Sequence, residues 1–111
     1  MIAQEIVNAV EDKKAENILL LDLRPDVVIA DFFILCTASG ERQIRAVADN
    51  VREVMKAKFG RLPFTVEGEG ASGWVLMDYG DVIAHIMTED MRRYYDLEGL
   101  WNEATPLVRI Q

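Results

Sequence analysis

The stretch "VVIADFFILCTA", Val27 to Ala38, constrains the fold more than any other part of the chain. From about Asp31 onward it is rich in β-formers and almost continuously apolar, with no alternation that would let one side face water. Such a strand needs cover on both faces. It therefore predicts a sheet with this strand near its centre and helices or other elements packed on it.

The rest of the chain supplies those parts in alternation. Ile2, Ile6, Val7 and Val10 recur at helical spacing before the polar "EDKKAEN", predicting a first helix of about three turns. "ILLLDL" from Ile18 reads as a first strand, broken by "RPD" at residues 24–26. After the central strand, Ser39 is placed to cap a long helix whose apolar stripe is Ile44, Val47, Ala48, Val51, Val54 and Met55. Gly60 and Pro63 end it. A short strand "FTVE" from Phe64 follows, then the glycine-rich "GEGASG" and the hairpin "GWVLMDYGDVIAHIM". Thr88 next caps "EDMRRYYDLEGLW", which reads as helical, with acids first and arginines after, as the macrodipole favours. The expected fold is α+β: a single domain over residues 1–111, with a mixed sheet of about five strands and packed helices in the order α-β-β-α-β-β-β-α. No repeat, low-complexity run or linker divides it.

The hairpin faces follow from arithmetic. A two-residue turn at Tyr79-Gly80 or at Gly80-Asp81 pairs residues whose numbers sum to an odd value, so the grouping is the same in either register. Trp74, Leu76, Asp78, Ile83, His85 and Met87 share one face. Val75, Met77, Tyr79, Val82, Ala84 and Ile86 share the other, which is the more purely apolar and should meet the core. The first face mixes a Trp, a carboxylate and an imidazole with aliphatics, a composition that suits an interface with aromatic anchors and a polar rim. The alternative is structural: Trp74 packed under a helix, Asp78 accepting turn N–H groups and His85 a satisfied sheet residue.

Catalytic readings fare worse. Gly68, Gly70 and Gly73 spell G-x-G-x-x-G, but a strand follows them where a dinucleotide site needs a helix, and Glu67 and Glu69 would repel phosphate. Asp78 and Asp81 lack a third acid or metal-ligand set, and turn chemistry accounts for both. Cys36 lies inside an apolar strand, where a thiol is an inert small hydrophobe, so a Cys36–His85 pair is not a nucleophile and base. Ser39, Arg42 and Gln43 at a helix start could bind an anion, although a plain cap explains them as well. With one cysteine and one histidine in 111 residues, neither a disulfide nor a structural metal is expected. No cofactor is expected either.

The formal net charge of −7 disfavours gripping nucleic acid directly and favours a basic protein partner. No apolar run approaches the ~18 residues that span a bilayer, and the acidic amphipathic N-terminus lacks the pattern of a signal or transit peptide. The sequence reads as cytoplasmic, with no membrane role. Tyr94, Tyr95, Leu97, Leu100 and Trp101 give the C-terminal segment more apolar bulk than solubility needs, for docking on the sheet or for extending the hairpin's patch.

Four segments together carry a family likeness: "ADFFIL" (Ala30 to Leu35), "ERQIRAVAD" (Glu41 to Asp49), "EGEGASGWVLMDYGDVIAHIM" (Glu67 to Met87) and "RRYYDLEGLW" (Arg92 to Trp101). In order and spacing they resemble the ribosomal silencing factors of the RsfS/Iojap family. The resemblance implies a nucleotidyltransferase-like fold without the catalytic carboxylates, and binding in place of catalysis. It further implies a large-subunit partner engaged through ribosomal protein L14, steric block of small-subunit joining, and lower translation under nutrient limitation. Organellar relatives imply a role in large-subunit assembly. On positions matching the family motif the contact surface is expected at Trp74, Leu76, Asp78, Tyr79 and Asp81, with His85 and Tyr95 nearby and Arg42 and Gln43 outlying. A self-associating scaffold, a homodimer of the free protein through the Trp74 face, and a nucleotide-binding or nucleotidyl-transferring enzyme are the alternatives. The tail "NEATPLVRIQ" matches no part of the pattern.

Overall fold

The structure is a computed structural model, and it describes residues 2–25, 27–101 and 103–111. Helix α1 (Ile2–Asp12) leads into strand β1 (Glu16–Asp22) and then β2 (Phe32–Thr37). The long helix α2 (Glu41–Phe59) follows, then β3 (Thr65–Glu67) and a 3-10 turn (Gly70–Ser72). Next come β4 (Trp74–Asp78), β5 (Val82–Met87), the short helices α3 (Glu89–Tyr95) and α4 (Leu97–Leu100), and β6 (Thr105–Ile110). Among the described residues the strands form one mixed sheet in the order β3-β4-β5-β2-β1-β6, in which β2 and β5 run parallel and the other neighbours antiparallel.

The central position of β2 is as its composition requires. Phe32, Ile34 and Cys36 point into a cluster with the buried stripes of α1 (Ala3, Ile6, Val7, Ala9, Val10) and α2 (Ile44, Val47, Val51, Met55). Phe33 and Leu35 point the other way, into a second cluster with Leu19, Leu21, Leu23, Ala30 and Ile83. Period-two alternation thus feeds two cores from one strand. The second cluster is roofed by Val27, Leu97, Trp101 and Ala104, while α1 and α2 roof the first.

Several local expectations are corrected. Among the described residues the sheet has six strands, because the C-terminal tail supplies β6, an edge strand, against β1. Pro106 lies in it, a residue that sheets tolerate at an edge. Ser39 does not cap α2: Gly40 holds that position without a side-chain bond, and the Ser39 N–H donates to Gln43 Oε1 at 2.6 Å. The C-terminal segment is not one helix, since Asp96 takes a left-handed conformation (φ 45°) and splits it into α3 and α4. Asp26 and Asn102 lie outside the described residues. Thr88 does cap α3, accepting from the Met91 N–H, and Gly60 ends α2 in the left-handed region (φ 62°).

The glycine-rich loop opens onto β4 and not onto a helix. Gly68 has φ +82°, and a Cβ there would stand 2.1 Å from the Trp74 carbonyl oxygen, so only glycine lets the loop close so tightly against the start of β4. Among the described residues no helix is long and apolar enough to cross a membrane.

Candidate functional site

The hairpin register is Trp74↔Met87, Val75↔Ile86, Leu76↔His85, Met77↔Ala84 and Asp78↔Ile83, each pair summing to 161. The turn is therefore Gly80-Asp81, and both face assignments hold. Val75, Met77, Tyr79, Val82, Ala84 and Ile86 all join the core under α1 and α2. The opposite face divides. Ile83, His85 and Met87 are buried, whereas Trp74, Leu76 and Asp78 on β4 are only partly covered, Trp74 by Tyr95 of α3.

The partly open strip is built around Trp74. Its indole N–H donates to His85 Nδ1 at 3.2 Å, and Tyr95 packs on it with ring centroids 4.9 Å apart. Tyr94 stands edge-on to Tyr95, and these two tyrosines are 80% and 48% exposed, respectively. Inward, His85 meets Phe33, which meets Trp101. An unbroken row of rings thus runs from the second core to solvent, the amphipathic gradient expected of an anchored recognition surface. Beside it lies a cleft of about 300 Å³ lined by Glu67, Gly68, Ser72, Trp74, Leu76 and Met91. Glu67 and Met91 were not among the expected site residues. Glu67 enters only through the β3 register, which sets it opposite Leu76, and Met91 only through the first turn after the Thr88 cap.

The expected residues do not all reach this strip. Tyr79 is 0% exposed, in the core on the far face, so its side chain is withdrawn from direct contact. Burial pushes its phenol pKa up, and its hydroxyl has no hydrogen-bond partner among the described residues. His85 is 4% exposed and cannot itself touch a partner. Gln43 clamps α2 to the end of α1, donating from Nε2 to the Lys13 and Lys14 carbonyls at 3.0 and 2.9 Å. Arg42 is exposed in the first turn of α2, on the α1–α2 side of the sheet. Asp78 accepts the Gly80 N–H at 2.7 Å, as its turn role requires. The Asp81 carboxylate instead accepts from Arg61 Nη2 at 3.0 Å, so turn chemistry explains only one of the two aspartates.

Cys36 is buried on the α1–α2 side, while His85 lies on the other face of the same sheet, so the two cannot form a nucleophile and base. Burial pushes the thiol pKa up to about 12. Among the described residues no group of three or more His, Cys, Asp or Glu side chains could hold a metal ion.

Burial pushes the His85 pKa down to about 4. The unfolded chain, with an imidazole near 6.5, takes up the proton first. The stability that comes from keeping His85 neutral is thus whole above about pH 6.5 and is lost as pH falls through about 4. Stability at pH 5 is expected to be roughly 2 kcal/mol below that at pH 7 from this group alone. Urea denaturation of wild type and His85→Asn at both pH values checks it, the variant lacking this part of the dependence.

A family model described as "ribosomal silencing factor during starvation" matches residues 1–111. The chain belongs to that family. A ribosomal silencing factor RsfS of Halalkalibacterium halodurans is 39% identical over 110 residues, 99% of this chain and 92% of its own. The crystal structure of a protein from Chromobacterium violaceum superposes with a TM-score of 0.85 at 34% identity, over 91% of this chain and 83% of that one. A mouse protein named mitochondrial assembly of ribosomal large subunit protein 1 is 26% identical over 86% of this chain and 43% of its own.

Proposed function

We propose that this member of the silencing-factor family binds the large ribosomal subunit in the cytoplasm through ribosomal protein L14, and from there blocks docking of the small subunit. It acts as a steric repressor of translation when nutrients are limiting, not as an enzyme. The observation that carries the reading is the partly open Trp74–Tyr95 strip on a chain of the silencing-factor family. Apolar anchors beside a cleft make a surface that binds without chemistry. Carboxylates lie along this side: Glu67 lines the cleft, Glu69 and Asp90 are exposed on residues next to the cleft's Gly68 and Met91, and Asp78 stands at the turn end of β4. With a net charge of −7, such a rim suits a basic ribosomal protein and repels bare phosphate.

The name of the mouse relative favours a second reading, in which the same face engages the large subunit during late assembly. The nucleotide-enzyme alternative has no comparable support, since the glycine loop opens onto a strand and acids flank it.

Light scattering separates these readings. Large subunits preincubated with the protein are mixed with small subunits, and the joining signal is expected to be suppressed in proportion to occupancy. Normal joining at saturation would reject occlusion and leave assembly as the function of the face.

A further inference from the structure

We infer that His85, though it cannot touch a partner, is a positioning residue for recognition: it holds the Trp74 indole in its binding orientation by accepting the ring N–H at Nδ1. This role rests on the partner-binding reading of the Trp74 strip.

Trp74 and His85 are diagonal neighbours on adjacent strands, because His85 pairs with Leu76 and Trp74 lies two residues away on the same face. The indole nitrogen is the only polar atom of the Trp74 side chain. Its bond to Nδ1 at 3.2 Å therefore fixes the rotation of a ring that is only partly covered. Tyr95 packs on that ring, its centroid 4.9 Å away. His85 itself is held by burial, by Leu35 and Leu76 opposite it on the two flanking strands, and by Phe33 at 4.9 Å.

The cost of this arrangement points the same way. An Nδ1 that accepts requires the imidazole proton on Nε2. That nitrogen is buried and has no hydrogen-bond partner among the described residues. A buried, unsatisfied N–H opposes folding. An aliphatic side chain would fill the same place among Phe33, Leu35 and Leu76 without that penalty. What histidine supplies and leucine cannot is the acceptor for Trp74.

The test combines the indole proton resonance of Trp74, assigned with Trp74→Phe, and affinity for purified large subunits. In the wild type that proton should exchange slowly with solvent, and fast exchange would overturn the proposal. His85→Leu should bring its resonance and exchange toward those of a free indole and weaken binding about tenfold. His85→Asn, whose amide oxygen can stand where Nδ1 does, should bind within about threefold of wild type. In a Trp74→Phe background the leucine and asparagine variants should bind equally. Wild-type affinity in His85→Leu, or equal losses in both variants with Trp74 present, would overturn the positioning role. A protected indole in a wild-type chain that does not bind large subunits would instead reject the partner reading, and the role with it. The wild-type exchange rate and the asparagine variant decide the matter even if the leucine variant does not fold.

Discussion

Replacing Trp74 by alanine is expected to weaken large-subunit binding by about 2 kcal/mol or more, at least thirtyfold, and to restore subunit joining at protein concentrations that suppress it in the wild type. The size of the effect follows from the position of the ring. It is partly covered, held by one hydrogen bond to His85 and packed against Tyr95, so it meets a partner with little rotational freedom left to lose. It also belongs to neither fully buried cluster, which makes truncation compatible with folding. Tyr79→Phe is the matched control from the same hairpin. Its hydroxyl is buried without a partner among the described residues, so removing it should leave binding unchanged and stability unchanged or raised by up to about 1 kcal/mol. Equal binding by Trp74→Ala and wild type, both folded, would remove the ring from the contact surface.

The contrast between these two neighbours shows which parts of the site were legible in the sequence. Face membership needs only the period of two and the parity of a two-residue turn, and it placed Trp74 and Tyr79 on opposite sides correctly. Exposure is a different matter, because it depends on what roofs each face. His85 shares a face with Trp74 but sits one strand nearer the centre, under the second cluster, and no local pattern near residue 85 encodes that roof. The double burial of β2 was readable because it is written in consecutive residues, Phe32 to Cys36. The sixth strand was missed because "TPLVRI" is short, begins with a Thr-Pro pair and has an edge for a home, so its alternation is weak. Ser39 looked like a cap by residue type, yet Gln43, four residues on, bonds its N–H. Side-chain competition of that kind is invisible to a positional rule.

Arg92 tests how the roof itself is held, and Arg92→Met is expected to destabilise the fold by about 3 kcal/mol. From the sequence Arg92 reads as one of two arginines that complement a helix dipole. In the structure its side chain is only 11% exposed and joins four elements of the chain. Nε donates to Glu98 Oε1 at 3.0 Å and Nη2 to Oε2 at 3.3 Å, while Nη1 reaches Thr37 Oγ1 at 3.0 Å and the Asn17 carbonyl. Neither α3 nor α4 contains a fully buried residue, so apolar packing alone holds them weakly. Methionine keeps the apolar stem and removes the fork, which isolates the polar contribution and leaves Glu98 uncompensated. Glu98→Gln retains an acceptor and should cost only about 1 kcal/mol. Urea denaturation gives both values, and a loss below about 1 kcal/mol for Arg92→Met would mean that the roof is held by Leu97 and Trp101 instead. The same variant should also weaken large-subunit binding, because α3 carries Tyr95 against Trp74. A destabilised Arg92→Met that still folds and binds normally would show that recognition needs the β4 strip without its aromatic roof.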